Sequence, residues 1–171
     1  RMNATKLLVE GALAAGWADR IAYYHRDQSI TYTDLHREVH RYAAAMRTLG
    51  VVPGDRVLVR ITDTPQLVFT LLAAHAIGAV AIPTYIQLRT EDLVYRLENA
   101  GVRFAFVGAT LIEEMAPAAT RLAEVGVVVL PSDPTGNFRS LADRLPDGPI
   151  EADYHDRQGE DLPMIVYTSG S

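Results

Sequence analysis

Arg56-Val57-Leu58-Val59-Arg60-Ile61 follows the turn residues Pro53-Gly54-Asp55 and alternates as a strand should. Thr64-Pro65 then opens a helix, with Thr64 as its cap and Pro65 at the first helical position, where a missing N–H costs nothing. From Leu67 to Ile77 that helix is apolar almost all round. Ala73, Ala74 and Ala76 let neighbours come close, so it should be buried between layers. Gly78 ends it, and Ala79-Val80-Ala81-Ile82 is a short strand stopped by Pro83. A strand, a helix and a second strand in this order form a βαβ unit with a right-handed crossover.

The same alternation continues toward the C-terminus. Thr90 is the expected cap of the next helix, whose first turn carries Glu91 and Asp92 at the positive end of the dipole. Leu93, Leu97 and Ala100 form its inward stripe, and Gly101 ends it. Arg103 to Val107 is a further strand. Residues 109–125 should be a helix, or two helices broken at Pro117, because proline cannot donate an interior hydrogen bond. Val127-Val128-Val129-Leu130 is an unbroken apolar run, as expected of a parallel strand buried on both faces. Strands at 56–61, 79–82, 103–107 and 127–130 joined by helix-length crossovers predict an α/β fold: one largely parallel sheet covered by helices on both faces.

Beyond the sheet, 131–137 reads as a loop and Phe138 to Leu145 as a short helix. The first unit is therefore drawn at 1–145, and the Pro-, Gly- and Asp-rich residues 146–160 form an exposed connection. The last piece, 161–171, is a strand and the start of a loop. On the N-terminal side, residues 5–15 have helical spacing and end at Gly16. Ile21-Ala22-Tyr23-Tyr24 and Ile30-Thr31-Tyr32 flank Arg26-Asp27-Gln28-Ser29 as a hairpin. Thr33 should cap a long helix carrying Leu35, Val39, Tyr42, Met46 and Leu49 on one side, with Gly50 as its stop.

Composition bounds the function. With 171 residues, 49% hydrophobic and 22% charged, the chain has the size and make-up of about one globular domain. A net charge of -5 and no basic run argue against a nucleic-acid surface, which needs clustered Lys and Arg. Cysteine is absent, which removes thiolate metal sites and fits a reducing cytoplasm. No run approaches the ~18 apolar residues of a membrane span. His36 and His40 stand four apart on the long helix, a spacing that in principle binds zinc. The metallopeptidase pattern has Glu directly after the first His, and Arg37 stands there instead, so the pair reads as two solvated helix-face histidines. His25, His75 and His155 have no partner spacing.

Met164-Ile165-Val166-Tyr167-Thr168-Ser169-Gly170-Ser171 is an apolar run that gives way to small hydroxyl and glycine residues. It reads as a buried strand feeding a loop whose hydroxyls and N–H groups can cradle a phosphate, with Gly170 allowing close approach. On these residues alone an ordinary Ser/Gly turn is an equal reading. A Walker loop is excluded, because no Gly-x-x-x-x-Gly-Lys-Ser/Thr run occurs.

Five stretches together resemble one family. Asp161 through Tyr-Thr-Ser-Gly-Ser is similar to the signature loop of the adenylate-forming enzymes, the superfamily of acyl- and aryl-CoA ligases, luciferases and peptide-synthetase adenylation domains. Ile30-Thr31-Tyr32-Thr33-Asp34-Leu35, Leu49 to Val57, Leu72 to Pro83 and Glu91 to Gly101 resemble that family's leading segments in the same order. Asn3-Ala4-Thr5 and Leu88-Arg89 are most similar to benzoate- or aminobenzoate-CoA ligases.

The resemblance implies an N-terminal subdomain of an ATP-dependent carboxylate–CoA ligase. A small-molecule carboxylic acid attacks the α-phosphate of Mg2+-bound ATP, and a thiol, usually coenzyme A, then displaces AMP. Thr168, Ser169, Gly170 and Ser171 map onto the donors to the β- and γ-phosphates. The family's loop lysine, acid pocket, magnesium-binding glutamate and catalytic lysine map beyond residue 171, so this chain alone is expected to be inactive. Adenylation without CoA, transfer to a carrier protein, a non-catalytic binding module and a homodimeric assembly stay open.

Overall fold

The computed structural model describes residues 3–157 and 163–168. Ser169, Gly170 and Ser171 lie outside the described residues. In chain order the elements are α1 (Ala4–Ala14), β1 (Ile21–His25), β2 (Gln28–Thr31), α2 (Tyr32–Thr48), β3 (Arg56–Arg60) and α3 (Pro65–Ala76). They continue with β4 (Val80–Pro83), α4 (Thr90–Asn99), β5 (Phe104–Gly108), α5 (Ile112–Arg121), β6 (Gly126–Leu130) and β7 (Arg139–Ser140). Short 3-10 turns occupy Ala109–Leu111 and Ala142–Arg144.

The central sheet has the order β4-β3-β5-β6-β7, and every pairing within it is parallel. The four strands expected from their apolar runs are therefore present and mutually parallel. Their side chains separate with period two. Val57, Val59, Phe104, Phe106, Val128 and Leu130 join the core under α1, α2 and α3. Leu58, Ala105, Val107, Val127 and Val129 join the core under α4 and α5. Both faces are covered, as the unbroken apolar strands require.

Several local expectations are corrected. The long helix is capped by Thr31, two residues before Thr33: the Thr31 hydroxyl accepts from Asp34 N–H, and Asp34 accepts in return from Thr31 N–H. Both threonines fit a cap, but only Thr31 has an acid at the third helical position to close the box. Thr33 donates to Ala18 C=O instead, at 3.0 Å. The hairpin turn is only Arg26-Asp27, since Gln28 pairs directly with His25.

Arg89 takes the cap position of α4, and Thr90 is its first residue. Thr90 N–H and hydroxyl both donate to the Glu114 carboxylate, at 2.9 and 2.8 Å. An acid from α5 thus serves the positive end of α4. Thr64 makes no capping bond and donates to Thr62 C=O.

Of the two readings of 109–125, the single helix holds, with narrower bounds: Pro117 sits inside Ile112–Arg121. A lost interior bond costs roughly 3 kcal/mol, but Met115 and Ala118 are fully buried on either side of it and hold the helix to the sheet. The helix expected at 138–145 is replaced by β7 and a single 3-10 turn. Asp133 accepts from Thr135 and Phe138 N–H groups and donates its own N–H to Ser140, which lays the chain alongside β6. Helix α3 is buried only in part: Phe69, Ala73, Ala74 and Ala76 are inside, whereas Leu67, Val68, Leu71 and Leu72 are half-buried. Helices α1 and α2 cover its outer side incompletely.

The stretch after residue 145 is exposed through most of 147–153. It then returns to the body. His155 N–H donates to Ala76 C=O at 2.8 Å, and Arg157, 6% exposed, donates to Ala79 C=O at 2.6 Å.

Candidate functional site

A parallel sheet points all its carboxyl ends one way. Here the chain leaves β3 toward α3 on one face and leaves β5 toward α5 on the other, so the two loops diverge. Such a switch point opens a crevice, the usual place for ligands on an α/β sheet. The crevice here is a cleft of about 170 Å³ lined by Ile61, Thr62, Thr64, Gln66, Gly108, Thr110 and Pro131. Sequence reasoning did not single out these residues. The threonines after β3 were a signal, but their meeting with Thr110 depends on strand order, which no local pattern encodes.

The segment carrying the candidate phosphate loop lies on the outer edge of β4. Ala81 N–H donates to Pro163 C=O at 3.2 Å, and Ile165 N–H donates to Ala81 C=O at 2.9 Å, in parallel register. Thr168 is therefore directed, like the ends of β3 and β5, toward the carboxyl end of the sheet, and it is exposed. The run is less buried than an apolar strand should be: Met164 is 39% and Val166 61% exposed. Nor does it continue as a strand beyond the one bridge at Met164. Alternate residues of β4 face outward, so the rung after Ala81 falls on Pro83, which has no N–H to give.

The other side of the run is fastened by side chains. Ile165 and Tyr167 pack on the core under α4 and α5. Tyr167 hydroxyl donates to Asn99 Oδ1 at 2.7 Å, and the Arg96 guanidinium lies 5.0 Å from its ring centre. Helix α4 thus sets where Thr168 leaves the sheet. Of the four candidate loop residues only Thr168 is described.

At the end of β3 the Arg60 side chain is buried, with its residue 2% exposed. Its guanidinium donates to the carbonyls of Tyr85, Ile86 and Leu88, each at 3.0 Å, and so clamps the loop between β4 and α4. Burial pulls its pKa below the ordinary arginine value, although arginine stays charged at any ordinary pH.

The histidines are also corrected. His40 is not solvated: it is 2% exposed, and its Nε2 lies 2.9 Å from the Tyr154 hydroxyl. His36 Nε2 lies 2.9 Å from Glu10 Oε1, and the Tyr154 hydroxyl donates to the same oxygen at 2.9 Å. His75 meets the Thr5 hydroxyl at 3.3 Å, and burial, reinforced by the Arg157 charge, pushes its pKa down to about 4. Among the described residues no helix is long and apolar enough to cross a membrane.

Comparison with known proteins agrees with this architecture. Residues 12–171 match the family described as AMP-binding enzyme. The chain is 33% identical over 170 residues to a 3-hydroxybenzoate–CoA ligase of Aromatoleum sp. (strain CIB), covering 99% of this chain and 32% of that protein. It is 32% identical over 169 residues to a p-hydroxybenzoic acid–AMP ligase of Mycobacterium marinum, covering 99% of this chain and 22% of that one. Among solved structures, a benzoate CoA ligase from Burkholderia xenovorans superposes with TM-score 0.82 at 26% identity, over 96% of this chain and 32% of that one. An anthranilate CoA ligase in complex with anthranoyl-AMP superposes with TM-score 0.90 at 22% identity, over 99% of this chain and 32% of that one, a likeness of fold. The chain spans about a third of the length of the first of these relatives. Its parallel sheet with helices on both faces is that of the N-terminal domain of adenylate-forming enzymes, and the chain belongs to the AMP-binding enzyme family.

Proposed function

We propose that the whole protein is an ATP-dependent ligase for an aromatic carboxylic acid, which it converts to an acyl-adenylate and then to a CoA thioester. The observation that carries this reading is the parallel attachment of 163–168 to β4, which aims Thr168 at the carboxyl end of the sheet. Two further facts support it: the Thr168-Ser169-Gly170-Ser171 sequence and the likeness to hydroxybenzoate ligases. Attack on the α-phosphate gathers negative charge on phosphate oxygens, and preorganised donors offset that charge. The hydroxyls of Thr168, Ser169 and Ser171 and the N–H of Gly170 are the donors this chain offers to the β- and γ-phosphates. Their chemistry fits a triphosphate. Ligands for Mg2+ are expected from residues beyond 171, and so is the acid pocket.

A second reading stops at the adenylate, or passes the acyl group to a carrier protein. It is favoured by the likeness to a p-hydroxybenzoic acid–AMP ligase, which is nearly as close in identity. Carboxylate-dependent exchange of labelled pyrophosphate into ATP tests adenylation in the whole protein, with hydroxybenzoates, benzoate and fatty acids as substrates. Thioester formation with CoA against a carrier thiol then separates the two readings. No exchange with any acid would overturn both. The isolated 171-residue chain should give no exchange above a boiled control, because catalysis by positioning needs every group in place. With no cysteine in the chain, a cytoplasmic location is part of the same proposal.

A further inference from the structure

We propose that Glu10, His36 and His40 form a binding site for a divalent transition ion of the zinc class, remote from the phosphate loop and unconnected with adenylation. The three residues come from two helices. His36 and His40 stand one turn apart on α2 and share a face. Glu10 reaches them from α1 and supplies a carboxylate, in place of the Glu that the metallopeptidase pattern has directly after the first His. One ligand atom from each lies within 4.8 Å of the other two.

The separations suit a shared ion. Glu10 Oε1 is 2.9 Å from His36 Nε2 and 3.7 Å from His40 Nε2. Zinc bonds of about 2.0–2.2 Å at tetrahedral angles put neighbouring ligand atoms ~3.3 Å apart, between those two values. The Tyr154 hydroxyl is 2.9 Å from both Glu10 Oε1 and His40 Nε2. It therefore stands beside the position a fourth ligand or a bound water takes.

The surroundings suit an ion as well. His40 is buried at the base of the cluster. Glu10 and His36 are each about a third or less exposed, which leaves a path from solvent to a site whose floor is dry. Two imidazoles and one carboxylate select against Mg2+ and Ca2+, which require mostly oxygen ligands. The cations nearby, Lys6 over the Tyr154 ring and Arg47 beside His40, add no further oxygen ligand.

The test is titration of the chain with Zn2+ and with Co2+, read by calorimetry, by the visible d–d absorption of tetrahedral Co2+ and by the melting temperature. The expected result is one ion per chain, a Co2+ spectrum showing nitrogen ligation, and a rise in melting temperature that Mg2+ does not reproduce. His36→Asn and Glu10→Gln should each weaken binding at least tenfold, a loss of about 1.4 kcal/mol or more, with His25→Asn as the unaffected control. His36 keeps 26% of its side chain exposed and tolerates replacement better than buried His40, so it decides the matter if Glu10→Gln fails to fold. No saturable binding, or binding that survives His36→Asn unchanged, overturns the proposal.

Discussion

The ring of His155 lies where a side chain on Gly78 would have to be: a Cβ built on Gly78 would meet His155 Cδ2 at 2.5 Å and Cγ at 2.6 Å. Gly78 also has φ of +87°, as the left-handed residue that closes α3 with Gly78 N–H on His75 C=O and Ala79 N–H on Ala74 C=O. Two independent constraints therefore fall on one atom. Gly78→Ala should destabilise the chain by about 1–3 kcal/mol in urea unfolding. Adding His155→Ala should recover part of that loss and leave the backbone share. A full recovery would show that the left-handed conformation costs nothing here.

Arg60 should be worth more than its charge. Arg60→Met removes the fork that holds three carbonyls of the 85–88 loop, at roughly 1 kcal/mol per bond. Stability should fall by about 3 kcal/mol, with faster amide exchange across 84–90 while β6 stays protected. Arg60→Lys should recover little, since an ammonium cannot reproduce the planar fork.

The His75 imidazole gives a pH dependence. Its pKa is about 4 in the folded chain against an ordinary ~6.5, so between those values the unfolded chain binds the extra proton. Stability is fully present above pH ~6.5 and is lost as pH falls toward 4, by about 1–2 kcal/mol once solvent screening is allowed for. His75→Asn should flatten the stability curve across that window. An unchanged slope would place the titration elsewhere.

The reciprocal cap on α2 makes a different acid-range prediction. Thr31→Ala should cost about 1 kcal/mol at neutral pH. Hydrogen bonds from Thr31 hold Asp34 below the usual carboxylate range, so that contribution is present above pH ~3.9 and is lost as pH falls through the lower folded value. In Thr31→Ala the curve below pH ~4 should be shallower than in the parent chain.

In the whole protein, Thr168→Val and Ser169→Ala should each lower kcat/KM for ATP by roughly 10- to 100-fold while leaving the melting temperature unchanged. Equal activity in both variants would remove these hydroxyls from the phosphate site.

Most of the sheet was legible because Val57 to Val59 and Val127 to Leu130 are apolar on both faces and only a covered parallel strand uses such runs. Helix ends were legible where Gly50, Gly78 and Gly101 stand, each with a positive φ. Thr33 and Thr90 were misread as caps for one reason: the partner that decides a cap was one step from view, Asp34 at the third helical position from Thr31 and Glu114 on another helix. Pro117 was read from its backbone alone, whereas the burial of Met115 and Ala118 settles its helix. Glu10 and Tyr154 stand 144 positions apart, and the packing of α1 on α2, together with the return of 154–157 to the body, brings them to His36 and His40.

Pro83 turns the last described segment from a zipped strand into a pinned one. Detaching 163–168 from β4 breaks two backbone bonds and the contacts of Tyr167, a few kcal/mol in all, far less than unmaking β3 from its two neighbours. The N–H of Ile165 should therefore exchange with solvent long before that of Leu58 or Phe106, and it reports on how readily 163–168 lifts from the sheet. A residue at 83 able to donate, as in Pro83→Val, would extend the ladder by one rung. It would slow that exchange and trade the segment's freedom to adjust for a stiffer attachment.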